Sequence, residues 1–256
     1  MKCFHCFIIL LCLCLVLGGC VSDVEILSQT ERETTQTERE STEATTEQKK
    51  EEQTMLPDPN QYQKIACVGD SITFGAHATD RQTGSYPVLL QEKLGKDYTV
   101  KNFGYGGSSY YETKVNYKPY MAGTEYASSV AFQPDMVIIL LGTNDAHSWE
   151  ETKPHFEESV RKLVQSYAAL ESEPLIYLCS PLCRYDNPTH SATVSQEIRP
   201  ILQKVAEEEG CIYVNLYSKT VGKAYMFADK LHPNDTGYVY LADLIFEAIC
   251  TPVQKG

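Results

Sequence analysis

Residues 136–141 read Met-Val-Ile-Ile-Leu-Leu, six apolar side chains in a row with no polar position among them. A strand with one face in water alternates apolar and polar residues. An unbroken run instead belongs in a parallel sheet covered by helices on both faces. Parallel neighbours are joined by helical crossovers, so the chain around this run must alternate strands with helices. From residue 61 onward it does. Further strands are predicted at 65–68, 98–103, 175–179 and 211–216, and helices at 86–94, 124–131, 156–170, 194–209 and 236–249. Phe156, Val160, Leu163, Val164 and Tyr167 recur at helical spacing, and Gly95 stands where the helix over 86–94 should stop. The expected fold class is therefore α/β, with a five-stranded parallel sheet.

In such a sheet, ligands bind beyond the carboxyl ends of the strands. Four polar segments each follow a strand and so fall on that one edge: Gly69-Asp70-Ser71, the stretch from Asn102 to Ser109, Gly142-Thr143-Asn144-Asp145, and the segment from Asp229 to Asn234. Each has an ordinary reading. Asp70 and Ser71 are good helix caps, the glycines serve turns, and Asn144, Asn234 or Asp235 can start helices. Together they supply the parts of acyl transfer. Ser71 is placed to be a nucleophile, His232 a base to activate it, and Asp229 a carboxylate one turn away to fix the imidazole tautomer. The N–H groups of Ser71 and Gly107 and the side-chain amide of Asn144 are candidate oxyanion donors.

The four blocks, in this order, resemble those of the GDSL/SGNH hydrolase superfamily. Ser71 falls on the nucleophile of the first block. Gly107 falls on the oxyanion glycine of the second, with Gly104 as its preceding glycine and Gly106 a less apt substitute. Asn144 matches the oxyanion asparagine of the Gly-x-Asn-Asp block, and Asp229 and His232 match the Asp-x-x-His block. The resemblance covers about residues 63–250. It implies a three-layer α/β/α, flavodoxin-like fold and ester hydrolysis through a Ser-His-Asp triad, without cofactor or metal. It leaves the substrate open, because lipases, thioesterases, arylesterases and carbohydrate esterases all belong to it. Asp70, His77, Asp145 and His147 flank the blocks and are candidates to line the substrate cleft. His155 and His190 have no supporting motif.

The strand-following loops are polar and rich in glycine and tyrosine, with no long apolar stretch of the kind that covers an acyl-chain groove. Tyr105, Tyr110, Tyr111, Tyr117, Tyr120 and Tyr126, with Trp149, could stack on sugar rings or could hold a long loop down. Around Tyr86-Pro87, Asn102 and Trp149 the chain also looks similar, more weakly, to acetyl esterases. The expected activity is that of a surface serine esterase acting on short acyl esters, acetyl above all, carried by carbohydrate. The alternatives are a lysophospholipase or general lipase, and a non-catalytic glycan-binding lipoprotein. A complete set of Ser, His and oxyanion donors speaks against the last.

The first sixty residues read as an address and a tether. Lys2 precedes an apolar run over 7–17 that ends in Leu17-Gly18-Gly19-Cys20, similar to the lipobox of bacterial lipoprotein signals. Residues 1–20 are thus expected to be a signal whose cleavage leaves Cys20 lipidated and the protein membrane-anchored outside the cytoplasm. Residues 21–60 carry eleven acidic and four basic side chains among many Thr and Gln, with no aromatic residue, and are expected to be a disordered linker. The domain proper is expected over 61–256. The whole chain has a net charge of −12 and no basic run, which argues against a nucleic-acid partner. Cys67, Cys179, Cys183, Cys211 and Cys250 remain in the domain, an odd number. Cys179 and Cys183 leave a disulfide open, and nothing has the spacing of a structural zinc site.

Overall fold

The computed structural model describes residues 56–112 and 118–251. The signal segment, Cys20, the linker through residue 55 and Tyr117 lie outside the described residues. Five strands form one sheet: β1 Lys64–Gly69, β2 Thr99–Gly104, β3 Met136–Leu140, β4 Leu175–Cys179 and β5 Ile212–Val214. They run parallel in the order β2-β1-β3-β4-β5. This is the flavodoxin-like order, and its reversal point lies at β1 and β3. A second pair, Ser108–Ser109 with Lys118–Pro119, is also parallel.

Because Cβ atoms alternate along a strand, the apolar run of β3 serves both faces. Met136, Ile138 and Leu140 pack with Ile65, Cys67, Tyr177 and Cys179 in one core layer. There they meet helices α2, Tyr86–Leu94, and α9, Asp235–Cys250, through Tyr86, Leu90, Tyr238, Leu241 and Ile245. Val137, Ile139 and Leu141 face the other way, beside Ala66, Val68, Ile176 and Leu178. That layer is closed by α5, Trp149–Ala168, and α7, Arg199–Glu209. Ile138 has no exposed surface, and truncating such a side chain to alanine costs about 2–5 kcal/mol.

The three-layer α/β/α expectation holds, and most elements, among them α3, Thr124–Ala131, lie within a residue or two of their predicted positions. Two helices are longer than their apolar periodicity indicated. Helix α5 begins at Trp149 rather than 156, carrying Pro154 inside its early turns. The helix expected from 194 begins at Pro188 as α6, Pro188–Thr193, because Asn187 caps it by accepting from the His190 N–H at 3.0 Å and Pro188 fits the first turn. A stretch of π-helix, Val194–Ile198, joins it to α7, ahead of Pro200, which has no N–H to donate. The strand expected over 211–216 is shorter, since Asn215 caps a new helix, α8, Leu216–Thr220. All five cysteines of the described residues are free thiols, Cys179 and Cys183 included.

Candidate active site

The carboxyl end of β1 delivers Ser71. Asp70 follows the strand, and its Oδ1 accepts from the Ile72 N–H at 2.9 Å, which caps the single turn α1, Ser71–Phe74. The cap reading therefore applies to Asp70, and it frees Ser71 to open the helix with its hydroxyl outward. Ser71 Oγ lies 2.9 Å from Nε2 of His232. On the far side of the ring, Nδ1 lies 2.8 Å from Asp229 Oδ2. An ionised carboxylate only accepts, so Nδ1 carries the proton and Nε2 is left as acceptor for the Ser71 hydroxyl.

Local backbone bonds hold His232 in this position. Ala228 N–H donates to the His232 carbonyl at 2.9 Å, and Asn234 N–H to that of Met226 at 2.9 Å, closing a tight loop. Asn234 then caps α9 by accepting from Gly237 N–H at 3.0 Å. Within the loop, Asp229 Oδ1 accepts from the N–H groups of Leu231 and His232 at 3.0 and 2.7 Å. Partial burial works to raise the Asp229 carboxyl. The backbone N–H of His232, its imidazole and the Leu231 N–H outweigh it and leave the group well below the usual carboxylate range.

The second block folds back onto the first. Tyr105 N–H donates to the Gly69 carbonyl at 2.8 Å, and Ser108 N–H to that of Tyr105 at 3.1 Å. The resulting turn holds Gly107 at φ +77°, where glycine is the natural occupant. Gly104 is required for space instead: a Cβ there would stand 2.1 Å from the backbone nitrogen of Phe74. Asn102 ties the same segment to α1, donating to the Thr73 carbonyl at 2.8 Å and accepting from Gly104 N–H at 2.8 Å. Among the described residues, no protein acceptor takes the N–H of Ser71 or of Gly107. After β3 comes the short helix α4, Thr143–His147. Its Asn144 is half-buried and donates through Nδ2 to the Ser108 carbonyl at 2.7 Å. The edge thus brings the Ser71 hydroxyl, the His232 imidazole with the Asp229 carboxylate behind it, the N–H groups of Ser71 and Gly107 and the Asn144 amide to the reversal point of the sheet.

Two of the expected cleft-lining residues do not line it. Asp70 and Asp145 are wholly buried. Asp145 is a bracket: its carboxylate accepts from Tyr110 N–H at 3.1 and 3.0 Å and from Tyr111 N–H at 3.1 Å. Burial pushes Asp70 up to about 6 and Asp145 up to about 7, against the pull of the N–H groups each accepts from. His147 ends α4 and is exposed. His77 does reach Asp229 and His232, with Nε2 3.3 Å from Asp229 Oδ2 and its ring stacked on His232 at 5.0 Å.

The aromatic residues are mostly packing. Trp149 is buried edge-on to Phe156, and Tyr110 and Tyr120 are buried as well. Tyr111 is half-buried and stacks on His155 at 4.4 Å. His190 was missed by motif reasoning. It is buried, with Nε2 2.9 Å from the Thr143 carbonyl, one residue before Asn144. The only sequence signal for it was the Asn187-Pro188 helix start.

Residues 67–240 match the GDSL-like Lipase/Acylhydrolase family. The chain is 31% identical over 210 residues to an acetylxylan esterase of Xylanibacter ruminicola; the match takes in 73% of this chain and 43% of that protein, so this chain spans less than half of that relative's length. Among solved structures it resembles an acetyl xylan esterase, AlAXEase, with a TM-score of 0.56 and 20% identity, over 73% of this chain and 99% of that one. It also resembles a two-domain esterase active on acetylated mannans, with a TM-score of 0.56 and 22% identity, over 75% of this chain and 51% of that one. At these identities the two structures share the fold.

Proposed function

The chain belongs to the GDSL-like lipase/acylhydrolase family, and from that premise we propose that it is a serine esterase that removes acetyl or similarly short acyl groups from carbohydrate. The observation that carries the reading is His232, held between Ser71 Oγ at 2.9 Å and Asp229 Oδ2 at 2.8 Å. Ser71 Oγ attacks the ester carbonyl carbon while His232 Nε2 takes its proton. The carbonyl oxygen becomes an oxyanion facing the N–H groups of Ser71 and Gly107 and the amide of Asn144. Collapse breaks the bond to the sugar oxygen, which receives the proton from His232 and leaves as a hydroxyl. Water then attacks the acyl-serine, giving its proton to His232, and the carboxylic acid departs as Ser71 is reprotonated. No step calls for a metal or an organic cofactor.

The acetylxylan and acetylated-mannan esterases to which the chain is similar support a carbohydrate acetyl ester as substrate. The polar, glycine-rich loops around Ser71 favour it over a lysophospholipid. The apolar run over 7–17 with its Leu-Gly-Gly-Cys ending supports a lipid-anchored, extracytoplasmic placement through Cys20, with the acidic segment 21–60 as tether. Chain-length preference tests the substrate. Turnover of p-nitrophenyl esters should be highest for acetate and fall steeply by octanoate, and acetate should be released from acetylated xylan or mannan. A preference for eight carbons or more, with no acetate released from any polysaccharide, would transfer the reading to a lipase. Membrane fractionation of the Cys20→Ala variant tests the anchor, which fails if the wild-type protein is found free with an unmodified Cys20.

A further inference from the structure

Asp229 serves two imidazoles. His77 Nε2 lies 3.3 Å from Asp229 Oδ2, the oxygen that His232 Nδ1 reaches at 2.8 Å. The two rings lie face to face, centroids 5.0 Å apart and planes 18° from parallel. His77 is half-exposed, yet its backbone is not loose. It has φ +66°, a left-handed conformation that a residue with a Cβ adopts at a cost. On one side the Tyr238 hydroxyl donates to the Ala76 carbonyl at 2.7 Å. On the other, the N–H and hydroxyl of Thr79 donate to the Asp235 carboxylate at 2.8 and 2.6 Å. Both anchors belong to α9, so the strained residue is held by the helix that follows the His232 loop.

We propose that His77 is a positioning residue for the esterase reaction, a second imidazole on the Asp229 carboxylate that restrains it and sets the charge against which His232 gains its proton. This deepens the serine-esterase reading and rests on it. A neutral His77 beside Asp229 Oδ2, at 3.3 Å, displaces water from the carboxylate and shares the negative charge that stabilises the His232 imidazolium. A protonated His77 sets a positive charge about 5 Å from that imidazolium. Both lower the basicity of His232. For two unit charges at that distance in water the effect is about fourfold in an equilibrium constant. The other charged groups around the pair are Asp80 and Arg81 on the His77 segment, Lys230 beside Asp229, Asp235 on α9, and Asp70 behind His232. Asp186 stands with Arg184 on the loop joined to Lys230 through the Tyr185 N–H. All of these stay in place when only His77 is changed. The same three side chains do not make a good cation site, although their ligand atoms lie within 4.8 Å of one another. Near-parallel rings send their in-plane lone pairs side by side rather than to a common point.

The test is the pH profile of kcat/KM on p-nitrophenyl acetate for the wild type, His77→Phe and His77→Gln. Phenylalanine keeps a ring to stack and removes the N–H and the charge; glutamine returns a donor without a charge. The acid limb of His77→Phe should move to higher pH by about half a unit, a three- to fourfold change in the proton equilibrium, and His77→Gln should lie between it and the wild type. Profiles that superimpose, or that fall by one factor at every pH with the limb unmoved, would overturn the role. A proton NMR titration of the His232 ring in the wild type and His77→Phe reads the same coupling without turnover. Its midpoint should rise by the same half unit in the variant, and an unchanged midpoint would overturn the proposal. Failure of the esterase reading itself would show separately, as hydrolysis indifferent to Ser71→Ala.

Discussion

Asn144 Nδ2 lies 2.7 Å from the carbonyl oxygen of Ser108, 36 residues earlier in the chain. One side-chain amide therefore fastens the loop after β3 to the loop after β2, next to the Gly107 N–H. An amide has a second hydrogen, and this bond aims it while occupying only the first. Asn144→Ala removes the proposed oxyanion donor and the fastening together. kcat is expected to fall by about 10²–10³, as for other single oxyanion donors. Steady-state kinetics on p-nitrophenyl acetate check this; a change confined to KM would make Asn144 a ground-state binding residue instead.

Asp145 holds the same loop from beneath. Its carboxylate accepts from the N–H groups of Tyr110 and Tyr111, and no part of it is exposed. Asp145→Ala leaves those buried donors without partners, at about 1–3 kcal/mol each. The variant is expected to lose about 2–5 kcal/mol in urea denaturation. A midpoint equal to that of the wild type would show that the bracket is not needed.

His190 gives the stability a pH dependence. Burial holds it down to about 4, against the Thr143 carbonyl that its Nε2–H donates to. Unfolded imidazoles protonate near pH 6.5. Between about 6.5 and 4 the unfolded chain binds one more proton than the folded one, so stability present above 6.5 is lost as pH falls, by up to about 3 kcal/mol. Glutamine places an N–H donor near the Nε2 position and does not titrate. His190→Gln should therefore flatten the fall of Tm between pH 6.5 and 4. A slope as steep as that of the wild type would assign the loss to other groups.

The fold was legible because its signals are local. The apolar run of β3, the Gly95 stop of α2 and the Asn234 start of α9 each act over a few residues, and each lies where the sequence placed it. That Ser71, Gly107, Asn144 and His232 gather at one edge was legible because the order of strands sends the strand-following loops there. What could not be read was which polar groups turn inward. Asp70 and Asp145 look like cleft residues in sequence because they adjoin Ser71 and Asn144. Successive side chains diverge, however, so when one points out to the site its neighbour goes into the core. The contacts of His77 with Asp229 and of His190 with Thr143 span 152 and 47 residues of chain, a separation that no periodicity or motif spacing records.

The central claim is that Ser71 is the nucleophile, and the most direct measurement is the rate of p-nitrophenyl acetate hydrolysis by Ser71→Ala beside the wild type. The Ser71 hydroxyl is partly exposed and bonded to His232, so the variant should keep the far-ultraviolet circular dichroism spectrum and the Tm of the wild type. Its kcat should fall by at least about 10³, leaving only what the oxyanion donors and binding provide. A folded Ser71→Ala protein that turns over within a few-fold of the wild type would contradict the account.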